Sequence, residues 1–110
     1  MEKMFNKLVR DNIPNIIENN GESAITRKLS DQEYKLELLK KLKEECDEVI
    51  NSKNNDELME ELADLLEVID SIIEIEGLSK DKIESIQKKK RLSRGGFKKK
   101  IFLVKTVEKK

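Results

Sequence analysis

The stretch from Lys43 to Asp70 constrains the fold most, because it carries two pairs of carboxylates at helical spacing. The pairs are Glu45 with Glu48 and Glu61 with Asp64. The members of each pair are three positions apart, so they lie side by side on one face of a helix. Polar residues between the pairs, at positions 51–55, have the composition of a turn. We therefore expect two long helices that fold back on each other and bring four carboxylates together.

Converging carboxylates repel one another, and a hard divalent cation such as Mg²⁺ is the obvious group to hold them together. The chain contains no histidine and only one cysteine, Cys46. A histidine base, a Ser-His-Asp triad and a cysteine-rich zinc site are therefore excluded. Cys46 itself falls on the apolar stripe of the first long helix, where we expect a small core residue. We interpret the carboxylates as a site for Mg²⁺, with Mn²⁺ as the alternative.

The second long helix has an apolar surface much wider than that of an ordinary helix. Its apolar residues between Leu58 and Ile75 cover an arc of roughly 200°, twice the usual stripe. Glu61 falls inside this arc, where an unpaired carboxylate is costly, and Asp64 lies at its edge. One partner helix cannot cover so wide an arc, so we expect a homodimer or a higher homo-oligomer built on a helical bundle.

Two other interpretations use the same sequence. Acidic residues three positions apart are common on solvated helix faces, and the chain is 42% charged. A non-catalytic helical module that dimerises or binds a partner would fit the apolar arc equally well, although a helix made only for packing would avoid Glu61.

A nucleic-acid binder would use the basic segment Lys88–Lys100. The 23 basic and 23 acidic residues of the chain cancel and few side chains are aromatic, so we expect no nucleic-acid partner.

Cap and turn signals place the first two helices. A short helix should have Asp11 as its cap and should end at Asn20–Gly21. Ser30 and Glu33 form a capping box for the first long helix, which should run to about Ser52.

Similar signals bound the second half of the chain. Asn54 or Asn55 should cap the second long helix, which ends at Gly77. Ser79 should cap a shorter third helix over positions 80–92, which the glycines of the following segment end.

The elements together predict an all-α fold: a helical bundle with two long antiparallel helices, a shorter third helix and short extended segments at the ends. The extended segments are Ala24–Leu29, which alternates weakly, and Lys100–Val107, which has apolar residues among β-branched neighbours, and the two could pair as short strands. The length of 110 residues suits a single domain over positions 1–110. No apolar run is long enough for a signal peptide or a membrane span, so we expect a cytoplasmic protein with no membrane partner.

Three sequence blocks, taken in order, resemble one family. The acidic block Glu44–Glu48 followed by Glu61–Asp64 resembles the EExxE…ExxD signature of the MazG-like all-α NTP pyrophosphohydrolases. Lys7–Pro14, which reads KLVRDNIP, is similar to the start of the small phosphoribosyl-ATP pyrophosphohydrolase-like branch, and Arg94–Phe97, which reads RGGF, is similar to its end. The likeness covers nearly the whole chain.

The resemblance implies a Mg²⁺-dependent enzyme, usually oligomeric, that cleaves a nucleoside triphosphate between its α- and β-phosphates and releases pyrophosphate. Carried over by position, the metal ligands are Glu45, Glu48, Glu61 and Asp64. Because histidine is absent, the catalytic base would be a carboxylate, and Glu45 and Glu48 are the candidates. The basic side chains best placed to hold phosphates are Lys7, Arg10, Arg91, Arg94 and Lys98. The nucleotide, the number of metal ions and the choice between dimer and tetramer stay open.

Overall fold

The computed structural model describes all of residues 1–110 and contains four helices and no strand. The helices are α1 (Ile13–Asn19), α2 (Asp31–Ile50), α3 (Asn55–Ile75) and α4 (Lys80–Arg94). They divide between two compact units, Met1–Leu78 with the first three helices and Ser79–Lys110 with the fourth. The predicted all-α class is confirmed, whereas a single domain over the whole chain stays a prediction. No helix combines the length and the apolar character needed to cross a membrane.

The start of α2 is stabilised by the predicted capping box. The hydroxyl oxygen of Ser30 accepts a hydrogen bond from the backbone N–H of Glu33 at 3.2 Å, and the Glu33 carboxylate accepts one from the backbone N–H of Ser30 at 3.1 Å. The guanidinium of Arg27 pairs with the same carboxylate at 3.1 Å. The backbone hydrogen bond from Ser30, followed by the contact with Arg27, holds the pKa of Glu33 below its usual value.

The two ends of α3 also follow the sequence signals. Asn54 is the N-cap, and its side-chain oxygen accepts a hydrogen bond from the backbone N–H of Glu57 at 2.8 Å. At the other end, Gly77 adopts a φ of 65°, and the backbone N–H of Leu78 donates to the carbonyl of Ile73 at 2.9 Å. This is the six-to-one bond of a Schellman motif, in which glycine tolerates the left-handed backbone conformation.

Packing between α2 and α3 forms the core of the first unit. A turn at positions 51–54 reverses the chain, so the two long helices run antiparallel as predicted. Leu38 on α2 and Val68 on α3 are the buried apolar residues of this contact. The outer part of the apolar arc on α3 stays uncovered, and Leu66, for example, is 60% exposed. As expected from the sequence, one helix does not cover this arc.

The expected position of Cys46 is wrong, because this residue is exposed. The residues of α2 that lie toward α3 recur at Leu38, Leu42, Glu45 and Val49, with alternating steps of four and three. Cys46 lies one residue past this line, about 100° around the helix, on a flank that α3 does not cover.

Two further local expectations are also wrong. The N-cap of α1 is Asn12 rather than Asp11, and its side chain makes no capping hydrogen bond. Asp11 lies too far upstream for that role, since a cap bonds the N–H groups two or three residues onward. Neither Ala24–Leu29 nor Lys100–Val107 forms a strand. An extended segment needs a neighbouring strand to satisfy its backbone hydrogen bonds. Smaller differences lie at the helix ends, where α2 stops at Ile50 and α4 continues to Arg94.

Replacing Ser30 with alanine should lower the free energy of unfolding by about 1 kcal/mol, because the N-terminal amide of α2 then loses its acceptor. Urea denaturation followed by far-UV circular dichroism measures this change. Ser71→Ala is the matched control, since Ser71 lies inside α3 and only returns a hydrogen bond to the carbonyl of Glu67. Equal stabilities of the two variants would contradict a capping role.

Candidate metal centre

Three carboxylates from the two long helices converge in the structure. Each of Glu45 on α2 and Glu61 and Asp64 on α3 offers an oxygen, and these oxygens all lie within 4.8 Å of one another. The convergence arises because the helices run antiparallel across a short turn, which places the second half of α2 beside the first half of α3. Three of the four carboxylates singled out in the sequence are therefore neighbours in space.

Two of these acids occupy positions that would normally be apolar. Glu45 continues the line of Leu38 and Leu42 toward α3. On α3, Glu61 stands three residues after Leu58 and seven before Val68, within the same kind of alternating repeat. Residues at such positions fill the contact between packed helices and are usually hydrophobic. Packing of the two helices therefore removes part of the solvent from around the two glutamates.

Glu45 is the buried charged side chain of the structure, with 9% of its surface exposed. Burial raises the pKa of its carboxyl, and the negative charge of Asp64 adds to this effect. Glu44 and Glu61 contribute further in the same direction, while the ammonium of Lys41 opposes them. The carboxylate therefore ionises at a cost unless a cation joins the cluster.

Loss of solvation also raises the pKa of Glu61, followed in importance by the charges of Glu48 and Asp64. The sequence placed Glu61 deepest among the acids, but the structure leaves it half-buried and buries Glu45 instead. The reason is that the apolar neighbours of Glu61 on the outer side of α3 are themselves uncovered. Burial depends on what covers a residue as well as on the polarity of its neighbours along the helix.

Basic side chains approach the cluster from two directions. Nη2 of Arg10, which precedes α1, lies 2.7 Å from Oδ1 of Asp64. Nζ of Lys41 lies one turn before Glu45 on α2, 4.0 Å from its Oε1. Glu61 makes no ion pair. The protein's own cations thus neutralise the cluster only in part.

The donor set fits a hard divalent cation. All three candidate ligands are carboxylates, and Mg²⁺ and Mn²⁺ prefer oxygen, whereas softer metals prefer the sulfur or nitrogen ligands that this cluster lacks. The three oxygens lie within 4.8 Å of one another, close enough for Glu45, Glu61 and Asp64 to hold one ion together.

Glu48, the fourth predicted ligand, lies near this group without joining it. It is exposed on α2, about one turn beyond Glu45, and it is absent from the set of oxygens within 4.8 Å. Its charge nevertheless contributes to the raised pKa of Glu61. Its roles as metal ligand and as base stay predictions. Glu44 lies beside the cluster and pairs with Lys41 at 3.4 Å.

The predicted phosphate-binding residues fall into two groups. Lys7 and Arg10 belong to the first unit, where Lys7 lies 3.9 Å from Glu44 and Arg10 contacts Asp64. Arg91 and Arg94 are exposed in the last turn of α4, and Lys98 is exposed just after it, in the second unit. Basic residues at a helix C-terminus also interact favourably with the helix dipole. Phosphate binding by all five stays a prediction.

Sequence reasoning missed two contacts of the cluster. Lys41 could have been found, because its spacings of three and four residues from Glu44 and Glu45 are those of helical ion pairs. The contact between Arg10 and Asp64 joins residues 54 positions apart, and no local pattern indicates it.

Comparison with known proteins adds a family match to this geometry. The model of the family described as phosphoribosyl-ATP pyrophosphohydrolase matches residues 5–91, a range that contains the three clustered carboxylates and Arg10. No curated protein and no solved structure matches the chain significantly.

Without metal, the raised pKa values of Glu45 and Glu61 make folding favour their protonated forms. The stability that they contribute is complete below about pH 4, where unfolded glutamates ionise, and is lost as pH rises through their folded pKa values. In EDTA, Glu45→Gln should therefore gain stability relative to the wild type as pH rises toward 7. Urea denaturation at a series of pH values measures the difference.

The control for this pH series is Glu67→Gln, which removes an exposed carboxylate from the same helix pair. Its stability should follow that of the wild type across the series. A Glu45→Gln profile parallel to the wild-type profile would show that Glu45 has the same pKa in the folded and unfolded chains.

Proposed function

The chain belongs to the phosphoribosyl-ATP pyrophosphohydrolase family, as the likeness of its sequence blocks predicted, and from this premise we propose that it is a Mg²⁺-dependent nucleotide pyrophosphohydrolase. Membership makes the protein a pyrophosphohydrolase of nucleotide-like substrates. The finer proposal is hydrolysis of a nucleoside triphosphate between the α- and β-phosphates, which yields a nucleoside monophosphate and pyrophosphate. The convergence of Glu45, Glu61 and Asp64 is the observation that supports the proposed dependence on a divalent metal ion.

The charges explain why a metal is needed. A triphosphate is strongly anionic, and so is the cluster, so the two repel unless a cation lies between them. Glu45, Glu61 and Asp64 would hold Mg²⁺ or Mn²⁺, with Glu48 as a further ligand for the same or a second ion. When bound, the ion neutralises phosphate oxygens and lowers the pKa of a coordinated water.

The chain's own carboxylates would then accept the proton of the attacking water. Glu45 and Glu48 are the two candidates for this base. Burial raises the pKa of the Glu45 carboxyl in the metal-free cluster, whereas a bound cation would favour its ionised form. Glu48 lies outside the group of three, so as a base rather than a ligand it would have both oxygens available for a proton. Phosphoryl transfer depends mainly on position and charge, so the base has only to orient and deprotonate one water.

The basic residues would bind the phosphates beyond the metal. Lys7 and Arg10 stand beside acidic residues of the cluster region and would reach the nearest phosphates. Arg91, Arg94 and Lys98 belong to the second unit, and phosphate binding by them is proposed from the sequence resemblance. Arginine suits this purpose because its planar guanidinium can bind two phosphate oxygens at once.

We also propose that the enzyme acts as a homo-oligomer. The uncovered part of α3 carries the large apolar side chains Met59, Leu62, Leu66 and Ile69, all of them exposed in the single chain. Contiguous exposed apolar surface on a protein commonly marks an interface. A second copy that packs on α3 would bury these side chains and complete the coverage of the apolar arc.

Glu61→Gln and Asp64→Asn should each lower Mg²⁺-dependent pyrophosphate release at least about 100-fold, because even partners behind the metal ligands contribute 10- to 100-fold. A panel of nucleoside triphosphates together with phosphoribosyl-ATP supplies the substrates, and released pyrophosphate is the readout. Glu67→Gln is the control and should keep full activity. Wild-type protein that hydrolyses no member of the panel, with or without Mg²⁺, would instead favour a non-catalytic helical module that uses the exposed face of α3.

Leu66→Lys should weaken the oligomer, because it places a charge at the centre of the uncovered apolar face. Sedimentation velocity at micromolar concentration should show at least a dimer for the wild type and a shift toward monomer for the variant. Glu74→Lys adds the same side chain at an exposed site on α3 and should leave the assembly unchanged. A wild-type protein that sediments as a monomer would rule out the homo-oligomer.

A further inference from the structure

We propose that Arg10 is a resident counter-cation of the carboxylate cluster, which binds Asp64 in the metal-free protein and competes with a metal ion for this carboxylate. The inference rests on the proposed function, because it takes the cluster to be the metal site. The inference gives Arg10 a second role besides phosphate binding, namely competition with the metal ion for Asp64.

The contact between Arg10 and Asp64 is short and lies at the cluster. The distance of 2.7 Å between Nη2 and Oδ1 is that of a strong charge-assisted hydrogen bond. Asp64 is also one of the three residues whose oxygens lie within 4.8 Å of one another. The guanidinium therefore brings positive charge to the edge of a site where three carboxylates would otherwise repel.

The backbone of Arg10 is hydrogen-bonded to the start of α1, while its side chain is exposed apart from the contact with Asp64. Its carbonyl accepts a hydrogen bond from the N–H of Ile13 at 3.0 Å, which ties the residue to the start of α1. Its side chain is 57% exposed, and Asp64 is its one ion-pair partner. Release of Asp64 therefore breaks only this one side-chain ion pair.

A divalent ion and the guanidinium compete for the same carboxylate. Arg10 binds Oδ1 of Asp64, so an ion at Asp64 would share the charge of this carboxylate with the guanidinium and would repel the guanidinium. Metal binding therefore disfavours the Arg10–Asp64 contact and frees an arginine next to the site. A phosphate anion is the natural new partner for that arginine, so metal and phosphate each favour binding of the other through Arg10.

Lys7 and Arg27 provide matched comparisons within the same unit. Lys7 lies 3.9 Å from Glu44, whose carboxylate is beside the cluster but outside the group of three. Arg27 pairs at 3.1 Å with Glu33, in the capping box of α2. Neither removes an oxygen from the proposed metal ligands, so neither should compete with the metal.

The test is a titration of the full chain with Mn²⁺ in the absence of nucleotide, measured by isothermal titration calorimetry. Arg10→Ala should bind Mn²⁺ about two- to fivefold more tightly than the wild type, the range expected from loss of an exposed ion pair. Arg10→Lys keeps the charge and should lie close to the wild type. Arg27→Ala should leave the affinity unchanged.

Thermal melting separates competition from a structural role. In EDTA, Arg10→Ala should melt below the wild type, because the cluster loses its counter-cation. Saturating Mn²⁺ should then raise its melting temperature by more than it raises that of the wild type. A purely structural Arg10 would lower both melting temperatures and leave the Mn²⁺ affinity unchanged or weaker.

The outcomes distinguish this proposal from the proposed function. If the wild type binds Mn²⁺ and Arg10→Ala binds it equally well or less tightly, Arg10 does not compete with the metal, and the metal site stands. If neither protein binds Mn²⁺ at millimolar concentration, the cluster is not a metal site, and both proposals are overturned.

Discussion

Repulsion among three carboxylates within the contact of two helices is the constraint on which the rest of this structure depends. Glu45 and Glu61 occupy positions where packed helices ordinarily place apolar side chains, and Asp64 stands beside them. Their burial raises the pKa of both glutamates, so the metal-free fold bears a cost at neutral pH. Such a cost at a buried position is typical of a site arranged for binding rather than for stability.

The remaining interactions of the first unit offset this cost from outside the cluster. The buried apolar contact between α2 and α3 is small, and it centres on Leu38 and Val68. The capping box at Ser30 and the Schellman motif at Gly77 satisfy backbone groups at the helix ends without adding charge to the middle. Arg10 and Lys41 supply local positive charge, but both remain at the edge of the cluster. A divalent ion would reduce the repulsion among the carboxylates. A second copy of the chain packed on α3 would bury its exposed apolar side chains.

The predictions that succeeded concern local contacts, and those that failed depend on distant parts of the chain. The N-caps of the two long helices and the end of α3 at Gly77 were predictable because their hydrogen bonds join residues at most five positions apart, as at Ser30 with Glu33. Cys46 was misplaced because a stripe on a helical wheel does not say which of its flanks the partner helix covers. The two possible strands were predicted from weak alternation or from local apolar and β-branched content, and the structure contains no strand to pair with either segment.

The sequence by itself determined the all-α class, the two long helices and the presence of an acidic pair on one face of each. These follow from periodicity and local hydrogen bonding, which act over a few residues and depend little on the rest of the chain. Only the tertiary structure decided that Glu45 is the buried acid, that Glu48 stands outside the group of three, and that Arg10 reaches Asp64. Burial and long-range ion pairs depend on which surfaces meet, and that information is not carried by the spacing of residues along one helix.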